Sequence, residues 1–143
     1  MESNEYKRIR VYMSGVWDLF HVGHLNAIRA GKSLGDELVV GVNSDELVMR
    51  YKKRLPVIPY EQRAEIISAL KYVDRVVKQD EIFELSLVKE INPDILIIED
   101  TWRGKYVEGL EWAKNQAGKR IIYLPRTQGI STYDIKERIK KSQ

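Results

Sequence analysis

The sequence predicts an α/β fold: one doubly wound domain, a five-stranded parallel sheet with helices on both faces. Two observations predict it. Five short apolar runs, at 9–13, 37–42, 73–77, 95–98 and 121–124, read as buried strands. Amphipathic stretches follow them at about 24–34, 60–71, 82–91, 106–117 and 132–141, the alternation expected of βαβ units. No repeat, low-complexity tract or linker interrupts this series, so residues 1–143 read as a single domain. Substrates of such sheets bind beyond the carboxyl ends of the strands.

The first run leads into Met13-Ser-Gly-Val-Trp-Asp-Leu-Phe-His-Val-Gly-His24, which holds Gly15, Asp18, Gly23 and the only two histidines, His21 and His24. A strand, a glycine-containing turn and a helix start together form a phosphate-holding geometry. Small residues let the backbone approach, and the first-turn N–H groups face the anion. Spaced i, i+3, His21 and His24 can point into the same space. Without a third histidine or any cysteine, the pair falls short of a zinc ligand set, and no metal-ligating residues are assigned.

The second run ends in Gly41-Val-Asn-Ser-Asp45, and Arg50, Lys52, Lys53 and Arg54 then approach Pro56 and Pro59. The prolines break any helix there, so this stretch is expected to be a loop that closes a cationic arm over phosphates. The helix starting at Tyr60 carries Arg63 in its first turn, where the helix dipole does not favour a cation. That points weakly to an acidic or phosphate partner. The fourth run ends in Glu99-Asp-Thr-Trp102. Its carboxylates beside an indole suit a base or ribose, and equally Asp100 and Thr101 suit the cap of a following helix. After the fifth run come Arg126-Thr-Gln-Gly-Ile-Ser-Thr132 and another helix. Gly129 permits an unusual turn, Ser131 or Thr132 a cap, and Arg126 a fork aimed at phosphate oxygens.

Composition bounds the partners. Apolar residues make up 43% and charged ones 31%, a globular balance. A net charge of +3 suits a site handling several phosphates and is too small to argue for nucleic acid. The lack of cysteine excludes disulfides and thiol catalysis, and it fits a reducing compartment. No apolar run approaches the ~20 residues of a membrane span, and the charged start does not read as a signal peptide. The expectation is a cytoplasmic protein without membrane contact.

Three motifs give the chain a family resemblance: His21-Val-Gly-His24, Lys71-Tyr-Val-Asp74, and Arg126-Thr-Gln-Gly-Ile-Ser-Thr132. Together they resemble the cytidylyltransferases of the H-x-G-H nucleotidyltransferase superfamily, closest to the glycerol-3-phosphate group. The resemblance implies transfer of CMP from CTP to a small phosphorylated alcohol by direct in-line attack, with pyrophosphate released. It implies that His21, His24, Lys52 and Arg126 act in catalysis, with Lys53 the alternative lysine. Nucleotide contacts would come from Gly15, Val16, Trp17, His21, His24, Lys71, Thr101, Arg126, Thr127, Gly129, Ile130 and Ser131. Asp18, Lys52 and Arg63 would serve the acceptor. Mg2+ would ride mainly on the CTP phosphates, and a homodimer would form through residues 71–76.

The motifs also depart from the family pattern. Lys71 replaces an arginine, Gln128 a glutamate, and Val16 the threonine of glycerol-type sequences. Thr101 stands where a carboxylate is expected, and only Lys89 is available where glycerol-type enzymes supply several lysines. These changes bear on the acceptor, for which ethanolamine phosphate, choline phosphate, a phosphonate or another polyol phosphate are alternatives. Two further readings are an adenylyltransferase of the same fold, for example one making a dinucleotide cofactor, and an inactive nucleotide-binding module. The 126–132 motif argues against the first, and the intact His21, His24, Lys52 and Arg126 against the second.

Overall fold

Alternation of side chains along β1 (Arg10–Gly15) sets the architecture: Val11 and Met13 face one layer, Tyr12 the other. The computed structural model describes residues 6–125 and 129–143. Among these, β1 joins β2 (Glu37–Asn43), β3 (Arg75–Gln79), β4 (Ile95–Glu99) and β5 (Arg120–Leu124) in one sheet. Every neighbouring pair is parallel and the order is β3-β2-β1-β4-β5. The helices of the described residues are α1 (Val22–Ser33), α2 (Asp45–Lys52), α3 (Tyr60–Ser68), α4 (Leu85–Ile91), α5 (Glu108–Lys114) and α6 (Thr132–Lys141).

Two apolar layers hold the helices to the sheet. Val11, Met13, Leu38, Val40 and Ile97 pack with Ile28 of α1 and Ile67 of α3 on one face. Tyr12, Val39, Leu96 and Ile98 pack with Val88 and Ile91 of α4 and Leu110 of α5 on the other. The doubly wound, Rossmann-like architecture is therefore present, with helices on both faces. Strand order runs outward from β1 to β3 and then restarts on the opposite side of β1 with β4. That reversal opens a crevice at the carboxyl ends of β1 and β4.

Three local differences from the sequence reading have identifiable causes. α1 starts two residues earlier than expected because His21 is its N-cap. β3 begins at Arg75 rather than 73. Residues up to Val73 belong to the turn that closes α3, with Val73 N–H donating to the Leu70 carbonyl, and the Asp74 carboxylate accepts from Leu38 N–H. The third difference is α2, which occupies much of the stretch expected to be a loop. Ser44 caps it by accepting from Leu47 N–H, Leu47 and Val48 are buried, acids occupy its first turn and Arg50 and Lys52 its last. Capping, charge order and an apolar face outweigh prolines that lie beyond the helix.

Candidate active site

The turn after β1 folds back on itself before α1 begins. Trp17 (φ 59°) and Leu19 (φ 49°) adopt the left-handed conformation, which costs energy in residues other than glycine and clusters at functional sites. Trp17 is nearly buried, and its indole N–H donates to the Gly41 carbonyl at 3.0 Å. Gly15 is required beside it, because a Cβ there would sit 2.9 Å from the indole ring. Trp17 was expected among the nucleotide contacts. It lines the cavity, but its polar atom is spent on the fold and its ring meets His24 edge-on at 5.6 Å.

The two histidines form a reciprocal cap on α1. His21 Nδ1 accepts from Gly23 N–H at 3.0 Å, and His24 Nδ1 accepts from His21 N–H at 3.2 Å. A ring nitrogen that accepts a backbone N–H carries no proton, so this assigns both imidazole protons to Nε2. A Cβ on Gly23 would lie 2.8 Å from the His21 ring, so only glycine allows the side chain to fold over its own helix start. The rings stack with centroids 3.8 Å apart, and Phe20 stacks on His24 at 5.3 Å. Burial pushes His24 down to about 3, with His21 and Lys52 assisting and Asp18 opposing. Burial also lowers His21. At neutral pH the pair therefore presents two uncharged Nε2–H donors.

Around the pair lies a cavity of about 420 Å³, in the range of small-molecule sites. Its walls come from the ends of β1, β4 and β5, the N-terminal parts of α1 and α6, Val48 and Lys52 of α2, and residues 54–56. Ser131 caps α6 by accepting from Asp134 N–H, and Thr132 Oγ1 donates to the Asp18 carbonyl at 3.0 Å. Two helix N-termini therefore converge on one cavity, each with first-turn N–H groups available to an anion. Lys52, Arg54 and Lys136 add cationic side chains to its lining.

Of the expected site residues, Gly15, Val16, Trp17, Asp18, His21, His24, Lys52, Ile130 and Ser131 line this cavity. Between the two candidate lysines, Lys52 lines it, whereas Lys53 is an exposed left-handed cap ending α2. Four residues are placed elsewhere. Lys71 is exposed, its ammonium 5.2 Å from the Tyr72 ring, and Thr101 lies exposed in the 3-10 turn Asp100–Trp102. Gly129 (φ 76°) turns the chain into α6 without lining the cavity.

Arg63, expected to face the acceptor, is instead 1% exposed and fully engaged. Its guanidinium donates to the carbonyls of Ile58, Val16 and Asn43 and to the Asp45 carboxylate, at 2.7–2.8 Å. It braces the site from beneath. Asp18 does line the cavity, but its carboxylate accepts from Val57 and Ile58 N–H at 2.8 and 2.9 Å and so holds the loop after α2. The expected roles of Arg126 and Thr127, like the substituted Gln128, fall outside the described residues.

The sequence reading missed Asn26, Tyr133 and Lys136 as lining residues, whereas Arg54, which also lines the cavity, belongs to the cationic arm expected to reach phosphates. Lys136 had a signal: it stands one helical turn beyond Thr132, an i, i+4 pair on the same face of α6.

The Cytidylyltransferase-like family matches residues 12–138. The chain belongs to this family of nucleotidyltransferases. An FAD synthase of Thermococcus onnurineus is 52% identical over 99 residues, 68% of this chain and 66% of the relative, so the match spans about two thirds of that protein. A glycerol-3-phosphate cytidylyltransferase of Bacillus subtilis is 36% identical over 138 residues, covering 91% of this chain and 96% of the relative. Among solved structures, a lipopolysaccharide core biosynthesis protein from Thermoplasma volcanium superposes with a TM-score of 0.66 at 32% identity, over 85% of this chain and 98% of that one. No helix among the described residues is long and apolar enough to cross a membrane.

Proposed function

We propose that this cytidylyltransferase-like protein transfers CMP from CTP to the phosphate of a small phosphorylated alcohol, with glycerol 3-phosphate the first candidate. The observation that carries nucleotidyl transfer is the stacked pair of neutral Nε2–H imidazoles between two helix N-termini. An acceptor phosphate oxygen attacks the α-phosphorus, the α–β bridging bond breaks, and pyrophosphate leaves without a covalent enzyme intermediate. His21 and His24 donate to the α-phosphoryl oxygens as charge develops there. Lys52 and Arg54 approach the phosphates from the α2 side, while Ser131 and the α6 N-terminus hold the far end of the chain of phosphates. The proposed role of Arg126 is to hold the β- and γ-phosphates.

No group of three or more described His, Asp or Glu residues forms a metal site. The cavity acids Asp18 and Glu99 fit an ion that arrives on the nucleotide, since Mg2+ keeps much of its coordination for phosphate and water. An ion carried this way would supply charge compensation at the phosphates, next to the cationic side chains of Lys52, Arg54 and Lys136 that line the cavity. Ser131 and the 126–132 motif support CTP, as does the near full-length match to the cytidylyltransferase of B. subtilis.

A second reading has its own support: the T. onnurineus FAD synthase shares 52% identity over its matched residues. It amounts to transfer of AMP from ATP to a flavin phosphate on the same catalytic residues. Pyrophosphate release decides between them. CTP and ATP are each supplied with magnesium and one acceptor: glycerol 3-phosphate, ethanolamine phosphate, choline phosphate, ribitol phosphate, aminoethylphosphonate or flavin mononucleotide. The expected result is release with CTP and a small phosphorylated alcohol. Release only with ATP and flavin mononucleotide replaces the first reading by the second.

A further inference from the structure

Four side chains, one each from β1, β2, β3 and α2, form a one-way chain of hydrogen bonds. Tyr12, Gln79 and Asn43 are 0%, 0% and 3% exposed. The Tyr12 hydroxyl donates to Gln79 Oε1 at 2.7 Å, and Phe83 N–H donates to the same oxygen at 3.2 Å. A backbone N–H can only donate, so it fixes which end of the Gln79 amide is oxygen. Gln79 Nε2 must then donate to Asn43 Oδ1, at 2.7 Å, and Asn43 Nδ2 must donate to the Tyr51 hydroxyl oxygen, at 3.1 Å. Every amide orientation follows from one backbone group.

This chain ends on the last turn of α2. Tyr51 precedes Lys52, and the Lys52 ammonium lies 5.8 Å from the Tyr51 ring, a cation–π distance. The Tyr51 ring in turn meets Trp102 edge-on at 6.1 Å. The N-terminal part of α2 is anchored by the Ser44 cap and by buried Leu47 and Val48. Its last turn is held by Arg50, which pairs with Glu81 and donates to the Asp80 carbonyl on the surface, and by this chain, whose buried amides reach the partly exposed Tyr51. An exposed pair contributes little to position.

Packing alone does not call for such a chain. Apolar side chains filling the same volume are often neutral or stabilising, whereas a polar network is costly unless every member is satisfied. Here no buried side-chain polar atom among the described residues lacks a partner. What satisfied amides add is direction, and the direction leads to the residue beside Lys52.

We propose that Gln79, Asn43 and Tyr51 are positioning residues that set the Lys52 ammonium in the wall of the cavity. The proposal rests on the assignment of Lys52 to the phosphates made above.

The test is a double-mutant cycle on turnover with the nucleotide and acceptor that the wild-type protein uses. Tyr51→Phe is nearly isosteric and removes only the accepting oxygen. It is expected to lower kcat about tenfold with KM changed less than about twofold, as small displacements of a reacting group do. In a Lys52→Ala background the same change is expected to cost less than about twofold, because residues acting through one group are not additive. Gln79→Met carries the test to the buried end of the chain and is expected to show the same loss and the same disappearance. Melting temperature reports folding for each variant. Additive losses, or wild-type kcat in Tyr51→Phe, overturn the proposal while leaving the function of Lys52 standing. Wild-type turnover in Lys52→Ala overturns the assignment of Lys52, and the positioning role with it.

Discussion

His21 and His24 do different amounts of structural work, although both present an Nε2–H to the cavity. His21 Nδ1 serves as the N-cap acceptor for Gly23 N–H, whereas His24 closes the reciprocal contact from the third position of the helix. His24→Ala is expected to lower kcat by about 100- to 1,000-fold, the usual cost of one transition-state donor, with a modest change in melting temperature. His21→Ala is expected to lose activity and about 1 kcal/mol of stability as well, since the cap goes with it. His21→Asn separates the two effects, restoring the melting temperature through a capping carbonyl while leaving turnover low. Near-normal turnover in His24→Ala would place the chemistry elsewhere. The H-x-G-H spacing was legible in the sequence, but the caps were not, because histidine is not among the residues expected at an N-cap.

At the scale of elements, the site is assembled by two residues that hold loops. Asp18 gathers the Val57 and Ile58 N–H groups, and Arg63 ties the turn after β1 to the end of β2 and to the loop after α2. Arg63 and Asp45 form a 2.7 Å pair in which the arginine side chain is 0% exposed. Arg63→Met leaves the Asp45 charge and three carbonyls without their donor, so it is expected to destabilise by about 3–5 kcal/mol in chemical unfolding. A residue that only met the acceptor would raise KM at constant stability, and that outcome would sink the bracing role. Sequence reading could see that a cation in the first turn of α3 was out of place. It could not see the four acceptors, which come from residues up to 47 positions away. α2 was misread for another reason: the prolines were weighted above the Ser44 cap and the acidic first turn that were present in the sequence.

At the scale of the whole molecule, His24 links the site to stability. Its folded value, about 3, lies below the ordinary 6.5, so unfolding binds a proton wherever pH lies between the two. Stability is therefore fully present above about pH 6.5 and falls as pH drops toward 3. Lowered His21 adds in the same direction. Asp36, Asp74 and Asp94, held below 3.8, contribute their losses only at lower pH. Urea midpoints between pH 7 and 4.5 are expected to fall in the wild type and to fall less in His24→Asn; equal slopes would contradict the burial of a neutral imidazole. We also propose a homodimer through residues 71–76, where Tyr72 accepts from Arg29 at 3.2 Å. Sedimentation at micromolar concentration is expected to show the dimer, and a monomer alone would remove it.

The sequence by itself determined the strand order's raw material: five apolar runs alternating with amphipathic stretches, whose boundaries shift by about two residues at α1 and β3. It also determined the H-x-G-H turn and the strand–turn–helix at α6, because periodicity, glycine and capping residues act over a few neighbouring positions. Only the tertiary structure decided that Lys52 lines the cavity while Lys71 and Thr101 do not, that Arg63 is a brace, and that Tyr12, Gln79, Asn43 and Tyr51 form one chain. The physical reason is range. Local propensities are summed along the chain, whereas a hydrogen-bonded network is defined by atoms that the parallel sheet brings together from β1, β2, β3 and α2.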